Sequence, residues 1–226
     1  ASVPADCPAA LTLRPPLPAV EARPSSAPSL SVLLSERQLF SVASCGGSTL
    51  LAYREVMSTV FEPMACALET DRLSLRLRGA DDASWNLELL SGHDGGTTVT
   101  LLEARQRLVA QQVTVRESGI GFLTIRRRSD AEPLGYCGLL IGRGSLDEPE
   151  IAHELLARFH GNGYATEAAR AVMDAAFATG RQRLWSTVRS WNTPSFRVLE
   201  KIGFRRDHRI IDSGGELVYL MADRPA

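Results

Sequence analysis

Between positions 158 and 165 the chain reads Arg158-Phe159-His160-Gly161-Asn162-Gly163-Tyr164-Ala165, directly ahead of an alanine-rich run that predicts a helix ended by Gly180. Two glycines let a backbone approach a ligand closely, and the first amides of a helix carry N–H groups with no intrahelical acceptor. A pyrophosphate suits such a turn, since its oxygens accept several N–H bonds at the positive end of the helix dipole. Gly-x-Gly also marks ordinary turns, so the neighbours must decide. A nucleotide-phosphate loop needs Gly-Lys-Ser/Thr, yet Tyr164 and Ala165 follow Gly163; a dinucleotide fingerprint needs a third glycine where Thr166 stands. Neither pattern is met. Upstream, Glu150 and Glu154 lie four residues apart in the strand-like run PEIAHELL, two full periods of a strand, which puts both carboxylates on one face.

The elements that must position these residues follow from periodicity. LETDRLSLRLR alternates Leu73, Leu75 and Leu77 with polar residues and predicts a first strand. GADDASWNLELLSG predicts a short helix stopped by Gly92. TTVTLLEARQRLVAQQ predicts a second helix with Leu101, Leu102, Arg105, Leu108 and Val109 on one side. GIGFLTIRRR, GYCGLLIGR and PEIAHELL, joined by Pro-, Gly- and Asp-containing links, predict an antiparallel meander. RLWSTVR as a strand, SFRVLEKIG as a short helix and two last strands around DSGG complete a mixed α/β order.

RFHGNGYATEA resembles the acetyl-coenzyme A signature of the GNAT acetyltransferases, Arg/Gln-x-x-Gly-x-Gly/Ala, in the form of the ribosomal-protein N-terminal acetyltransferase (Rim-type) branch. LETDRLSLRLRGADDA looks like that branch's opening strand and helix, EIAHELL like its strand before the loop, and NTPSFRVLEKIGF like its closing segment. The resemblance covers about 160 residues and implies an α/β (α+β) fold with a mixed, mainly antiparallel sheet flanked by helices. It implies acetyl-CoA as acyl donor and a primary amine as acceptor, either a protein N-terminal α-amine or a small molecule; a homodimer is allowed. It places the pantetheine arm on the backbone of Leu155, Leu156 and Ala157, the pyrophosphate on the amides of Arg158 through Ala165, and Asn192 and Ser195 near the cofactor arm and reacting centre. Asn192 and Ser195 equally suit the cap of a helix beginning near Ser195.

The implied reaction needs a neutral amine, so an ammonium of pKa about 10 must lose a proton and the departing thiolate gains one. Glu150 stands where some members of the superfamily carry the base and is the preferred base; Glu154 reads as a solvated strand-edge carboxylate. Many relatives place an acidic Tyr shortly before the terminal Gly-Phe, where this chain has Leu199, which leaves Ser195 or water to protonate the sulfur. His153 and His160 read as packing or surface residues. Trp185 reads as core and Trp191 as a pocket residue. The helix pair at 80 to 112 and its HDGG turn are expected to shape the acceptor site. A second reading is a non-catalytic acyl-coenzyme A-binding regulatory module.

Composition bounds the rest. A hydrophobic content of 44% in 226 residues supports one good core. Lys plus Arg (25) nearly cancels Asp plus Glu (26), so no global field favours nucleic acid or an anionic membrane. Cys7, Cys45, Cys66 and Cys137 lack metal-site spacing and read as reduced thiols, no metal is expected, and a cytoplasmic location is the default. Seven of the twelve prolines fall in the first 28 residues, so positions 1–64 read as a Pro/Ala/Ser-rich, partly disordered extension and 65–226 as the domain. A native start at Met57 is a further expectation.

Overall fold

The computed structural model describes residues 61–91 and 99–225. The N-terminal extension up to residue 60, Met57 and the HDGG turn therefore lie outside the described residues. The chain forms an eight-stranded sheet: β1 (Ala67–Glu69), β2 (Leu73–Leu77), β3 (Phe122–Arg127), β4 (Pro133–Leu140), β5 (Glu150–Leu155), β6 (Arg183–Arg189), β7 (Arg205–Asp212) and β8 (Gly215–Asp223). Its helices are α1 (Ala83–Ser91), α2 (Leu101–Ser118), α3 (Tyr164–Ala178) and α4 (Thr193–Lys201). The sheet order is β1-β2-β3-β4-β5-β6-β8-β7, antiparallel throughout except at β5–β6. The expected mixed, mainly antiparallel α/β architecture is the one observed.

Helix α3 buries Ala168, Ala169, Val172, Met173, Ala176 and Phe177, a spacing that keeps one stripe against the sheet. Its small alanines let it lie close over β4 and β5, where Cys137, Leu139, Ile151 and Leu155 complete the main core. Helix α4 joins the same face through Phe196 and Leu199, and Ile202 just past its end adds to it. The opposite face is covered by α1, whose Trp85 and Leu89 pack with Leu156 and Tyr136.

Helix α2 departs from expectation. It runs to Ser118, six residues beyond the predicted end, because Gly119 at φ 70° supplies the left-handed cap whose N–H bonds to the Val115 carbonyl. Thr100 and Glu103 form a reciprocal capping box at its start. Only Ala104 and Leu108 are buried; Leu101, Leu102 and Val109, expected on the packed side, are exposed. Its partner α1 is short and presents only Ala83 and Leu87 to that stripe. Cys137 is buried and free, whereas Cys66 is disulfide-bonded, which corrects the reduced-thiol reading there: sequence spacing does not report proximity in space. No helix among the described residues is long and apolar enough to cross a membrane, and no group of three or more His, Cys, Asp or Glu among them could hold a metal.

Candidate active site

The chemistry converges where the sheet is weakest. Parallel strands β5 and β6 share a single register pair, Glu150 with Trp185. Around it the Trp185 N–H donates to the Pro149 carbonyl at 2.9 Å and the Ser186 hydroxyl to the Ile151 carbonyl at 3.0 Å. Beyond that pair the strands part, opening a gap toward their carboxyl ends. The Leu156 N–H bonds back to Leu134 of β4, so by strand alternation the main-chain groups of Leu155 face the gap. The Leu155 carbonyl is met by His160 Nε2 at 2.9 Å. The Leu156 carbonyl accepts from Phe159 N–H and the Ala157 carbonyl from His160 N–H. Of the three residues expected along a pantetheine arm, Leu155 thus presents its N–H to the gap, its carbonyl being taken by His160, while Leu156 has both its N–H and its carbonyl engaged and Ala157 its carbonyl.

At the gap's mouth stand two helix N-termini, those of α3 and α4. Ahead of α3, Gly161 and Gly163 adopt φ of 80° and 79°, which only glycine takes without strain. A Cβ built on Gly161 would meet nothing within 4 Å. The amides of Gly161 through Thr166 donate to no acceptor among the described residues. Asn162 folds the turn by donating its side-chain amide to the Phe159 and His160 carbonyls at 3.1 and 3.0 Å. Arg158 points away, pairing with Glu88 and Glu132 and lying 4.7 Å over the Phe159 ring. Tyr164 and Ala165 are half-buried against the main core. An anion arriving here meets a run of open N–H groups and a positive helix end.

Ahead of α4, Asn192 Oδ1 accepts the Ser195 N–H at 3.3 Å, so the capping reading describes the observed bond. The Ser195 hydroxyl has no hydrogen-bond partner among the described residues. Leu199 is fully buried.

Glu150 lies at the vertex of the gap with its side chain on the face opposite α3. It is 6% exposed; one carboxylate oxygen accepts the Arg143 N–H and the other the Thr187 hydroxyl at 2.8 Å. It borders a cavity of about 310 Å³ lined by Arg143, Glu148, Trp185, His208 and Tyr219 among others. His208 stacks on Tyr219 at 4.2 Å between ring centres, and Trp185 donates to Glu148 at 2.8 Å. Arg181 pins the loop ahead of β5 through the Leu146 carbonyl at 3.0 Å. Glu154 shares the face of Glu150 and accepts the Tyr136 hydroxyl at 3.0 Å; burial and this carboxylate push the Tyr136 phenol up. His153 sits on the α3 face with a buried, unpartnered Nδ1, and burial lowers its pKa to about 4.

Neither tryptophan takes the place the sequence suggested. Trp185 lines the cavity because it shares the β6 face of Thr187, while Trp191 is 75% exposed and outside it. Thr187, Tyr219 and His208 escaped sequence reasoning: Thr187 reaches Glu150, and Tyr219 and His208 its cavity, only through strand pairing, which no local pattern reports.

A sheet split at one parallel pair, with two helix N-termini at its mouth and a buried carboxylate across it, suits an anionic ligand beside a proton-accepting group. Residues 72–205 match the family model described as the acetyltransferase (GNAT) domain, and the chain belongs to that family. It is similar to an uncharacterized N-acetyltransferase, p20, of Bacillus licheniformis, 26% identical over 153 residues, 64% of this chain and 85% of that protein. Among solved structures it is similar to a GNAT-family acetyltransferase from Bordetella pertussis (25% identity, TM-score 0.60, covering 69% of this chain and 98% of that one). It also shares its fold with Mycobacterium smegmatis RimJ in complex with CoA-disulfide (20% identity, TM-score 0.57, 67% and 81% covered). The chain is an acetyltransferase, of the family that moves an acyl group from acetyl-coenzyme A to an amine.

Proposed function

We propose that residues 65–226 form an N-acetyltransferase domain that binds acetyl-coenzyme A in the β5–β6 gap and acetylates a primary amine entering from the cavity beside Glu150. The observation that carries this reading is the single-rung gap, bounded by the open amides of Gly161–Thr166 on one side and by a buried carboxylate on the other. The residues present fit the coenzyme: free N–H donors and open space over Gly161 suit a pyrophosphate, and the Leu155 N–H suits a carbonyl of an amide-bearing arm. When bound, acetyl-coenzyme A supplies the thioester.

Transfer forms an amide C–N bond and breaks the C–S bond; the nitrogen sheds two protons, one from the ammonium before attack and one as the amide forms, and the second is matched by the one the sulfur gains. Glu150 takes the first, directly or through a water in the cavity. Ser195, with its hydroxyl uncommitted at the start of α4, is the candidate to supply the sulfur's proton. Asn192 holds Ser195 in register. Glu148 and Glu150 outnumber Arg143, itself drawn to Asp212, and the aromatic walls Trp185 and Tyr219 suit an approaching ammonium. The likeness to the Rim-type branch favours a protein N-terminal α-amine as acceptor, with a small-molecule amine as the other member of the class.

The test is calorimetric titration of the purified protein with acetyl-coenzyme A, followed by thiol-release assays on a panel of peptides with free N-termini and of small amines. Binding by the parent, its loss in Gly161→Glu and turnover with at least one amine are the expected results. Absence of binding by the parent, or binding without turnover on any amine, would overturn the proposal.

A further inference from the structure

Glu167 lies in the first turn of α3, directly behind the amides of Gly161–Thr166. A carboxylate there favours the helix dipole but repels any anion seated on those amides. The chain spends an unusual number of contacts on it. The hydroxyl of Thr70 donates to Oε1 at 2.6 Å, the backbone N–H of Arg72 to the same oxygen at 3.1 Å, and the Arg72 guanidinium to Oε2 through Nε at 2.7 Å and Nη2 at 2.6 Å. Burial raises the pKa of the Glu167 carboxyl, but the bonds from Thr70 and Arg72 more than offset it, so the group lies below its ordinary value and is held ionised. The third guanidinium nitrogen, Nη1, donates to the Asn162 carbonyl in the glycine turn at 3.1 Å, and the guanidinium lies 4.7 Å over the Tyr164 ring.

Stability alone does not account for this. Arg72 is half-exposed and Glu167 mostly covered, so the bidentate pair adds to folding, but folding does not require the further bond from the same guanidinium to the glycine turn. What the arrangement changes is the potential at the glycine turn. Arg72 cancels Glu167, and the same guanidinium fixes the carbonyl of Asn162 so that the turn presents N–H groups outward.

We propose that Arg72, carried by the turn between β1 and β2, is a positioning residue for the coenzyme: it neutralises Glu167 and braces Asn162, so that the amides ahead of α3 accept a pyrophosphate. This rests on the coenzyme reading above, and Arg72 itself need not touch the coenzyme.

The test is a cycle of parent, Arg72→Gln, Glu167→Gln and the double variant, with Arg72→Lys as the charge-preserving control. Each is titrated with acetyl-coenzyme A by calorimetry at low ionic strength and melted to verify folding. By Coulomb's law at aqueous permittivity, an uncompensated carboxylate within a helical turn of two phosphate charges weakens Arg72→Gln about tenfold. By the same arithmetic Glu167→Gln, which leaves Arg72 uncompensated, binds up to about tenfold tighter than the parent. Arg72→Lys falls within about threefold of the parent, and the double variant, with both charges gone, returns to within about threefold of the parent, the shortfall reflecting the lost Asn162 bond. The KM for acetyl-coenzyme A moves with affinity while kcat at saturation stays near the parent value. Unchanged affinity in Arg72→Gln, or a double variant that binds as weakly as Arg72→Gln, would overturn the proposal. Failure of the parent to bind would instead overturn the coenzyme reading, and the proposal with it.

Discussion

Replacing Glu150 by Gln separates chemistry from architecture, because the structure provides for both hydrogen bonds of the new side chain. The Gln carbonyl takes the Arg143 N–H in place of one carboxylate oxygen. Its NH2 group faces the Thr187 hydroxyl, which now donates and becomes the acceptor on rotating its proton away. With both contacts retained and the volume unchanged, the loss of stability stays below about 1 kcal/mol. Acetyl-coenzyme A affinity is unchanged, since Glu150 faces away from α3 and its N-terminal turn. What disappears is a group able to take a proton, and general base catalysis contributes about 100- to 10,000-fold, or roughly 3–5 kcal/mol of barrier at 1.36 kcal/mol per decade. The assay is thiol release at saturating amine and coenzyme, with calorimetric affinity and melting temperature on the same preparations. The residual activity of the variant rises with pH up to the pKa of the free amine, as the substrate sheds its own proton. A kcat within about threefold of the parent would refute the base assignment. A collapse of the melting temperature would refute the reasoning about retained bonds.

Gly161→Ala meets no atom within 4 Å but must hold φ at 80°, so it costs about 1–2 kcal/mol of stability by strain alone and weakens acetyl-coenzyme A binding at least tenfold on calorimetry, by placing a methyl group over the open amides. Gly138→Ala is its counterpart: the new Cβ would lie 2.2 Å from the Gly121 carbonyl oxygen, and denaturant melts should show a loss of more than about 3 kcal/mol or failure to fold. His153 governs a pH response. Its folded pKa of about 4 is below an unfolded value of about 6.5, so the unfolded chain binds more protons between these limits. Stability is therefore complete above pH 6.5 and falls by up to about 3 kcal/mol as pH drops toward 4; urea melts of His153→Phe should lack that slope.

The strands and helices around the site were legible because their periods are local. Leu73, Leu75 and Leu77 alternate as β2, and Glu150 and Glu154 share a face because a strand repeats every two residues. Gly163 and Gly180 bracket α3 by backbone conformation that no other residue adopts easily. Helix α2 was misjudged at its far end, where β-branched Val113, Thr114 and Val115 weaken the helical signal that Gly119 then closes. Its apolar stripe was also overestimated, since burial depends on how much helix packs against it. The parting of β5 from β6 left no local pattern, because each strand looks complete by itself; only the family resemblance, which put the pantetheine arm on the Leu155 backbone, pointed to it. The contact between Arg72 and Glu167 spans 95 positions of sequence, and two ordinary charged residues at that distance carry no mark of each other.

The lone rung between Glu150 and Trp185 has a mechanical meaning. It divides the sheet into a five-stranded piece, β1 to β5, and a three-stranded piece, β6, β8 and β7, stitched at one point and covered by α3 and α4. Main-chain groups beyond the stitch that a continuous ladder would consume are left over as unspent bonding capacity. A guest lying along Leu155 acts as a removable ninth strand, and in filling the seam it turns two pieces into one body. Under the coenzyme reading proposed above, loading the enzyme is the last step of building its sheet.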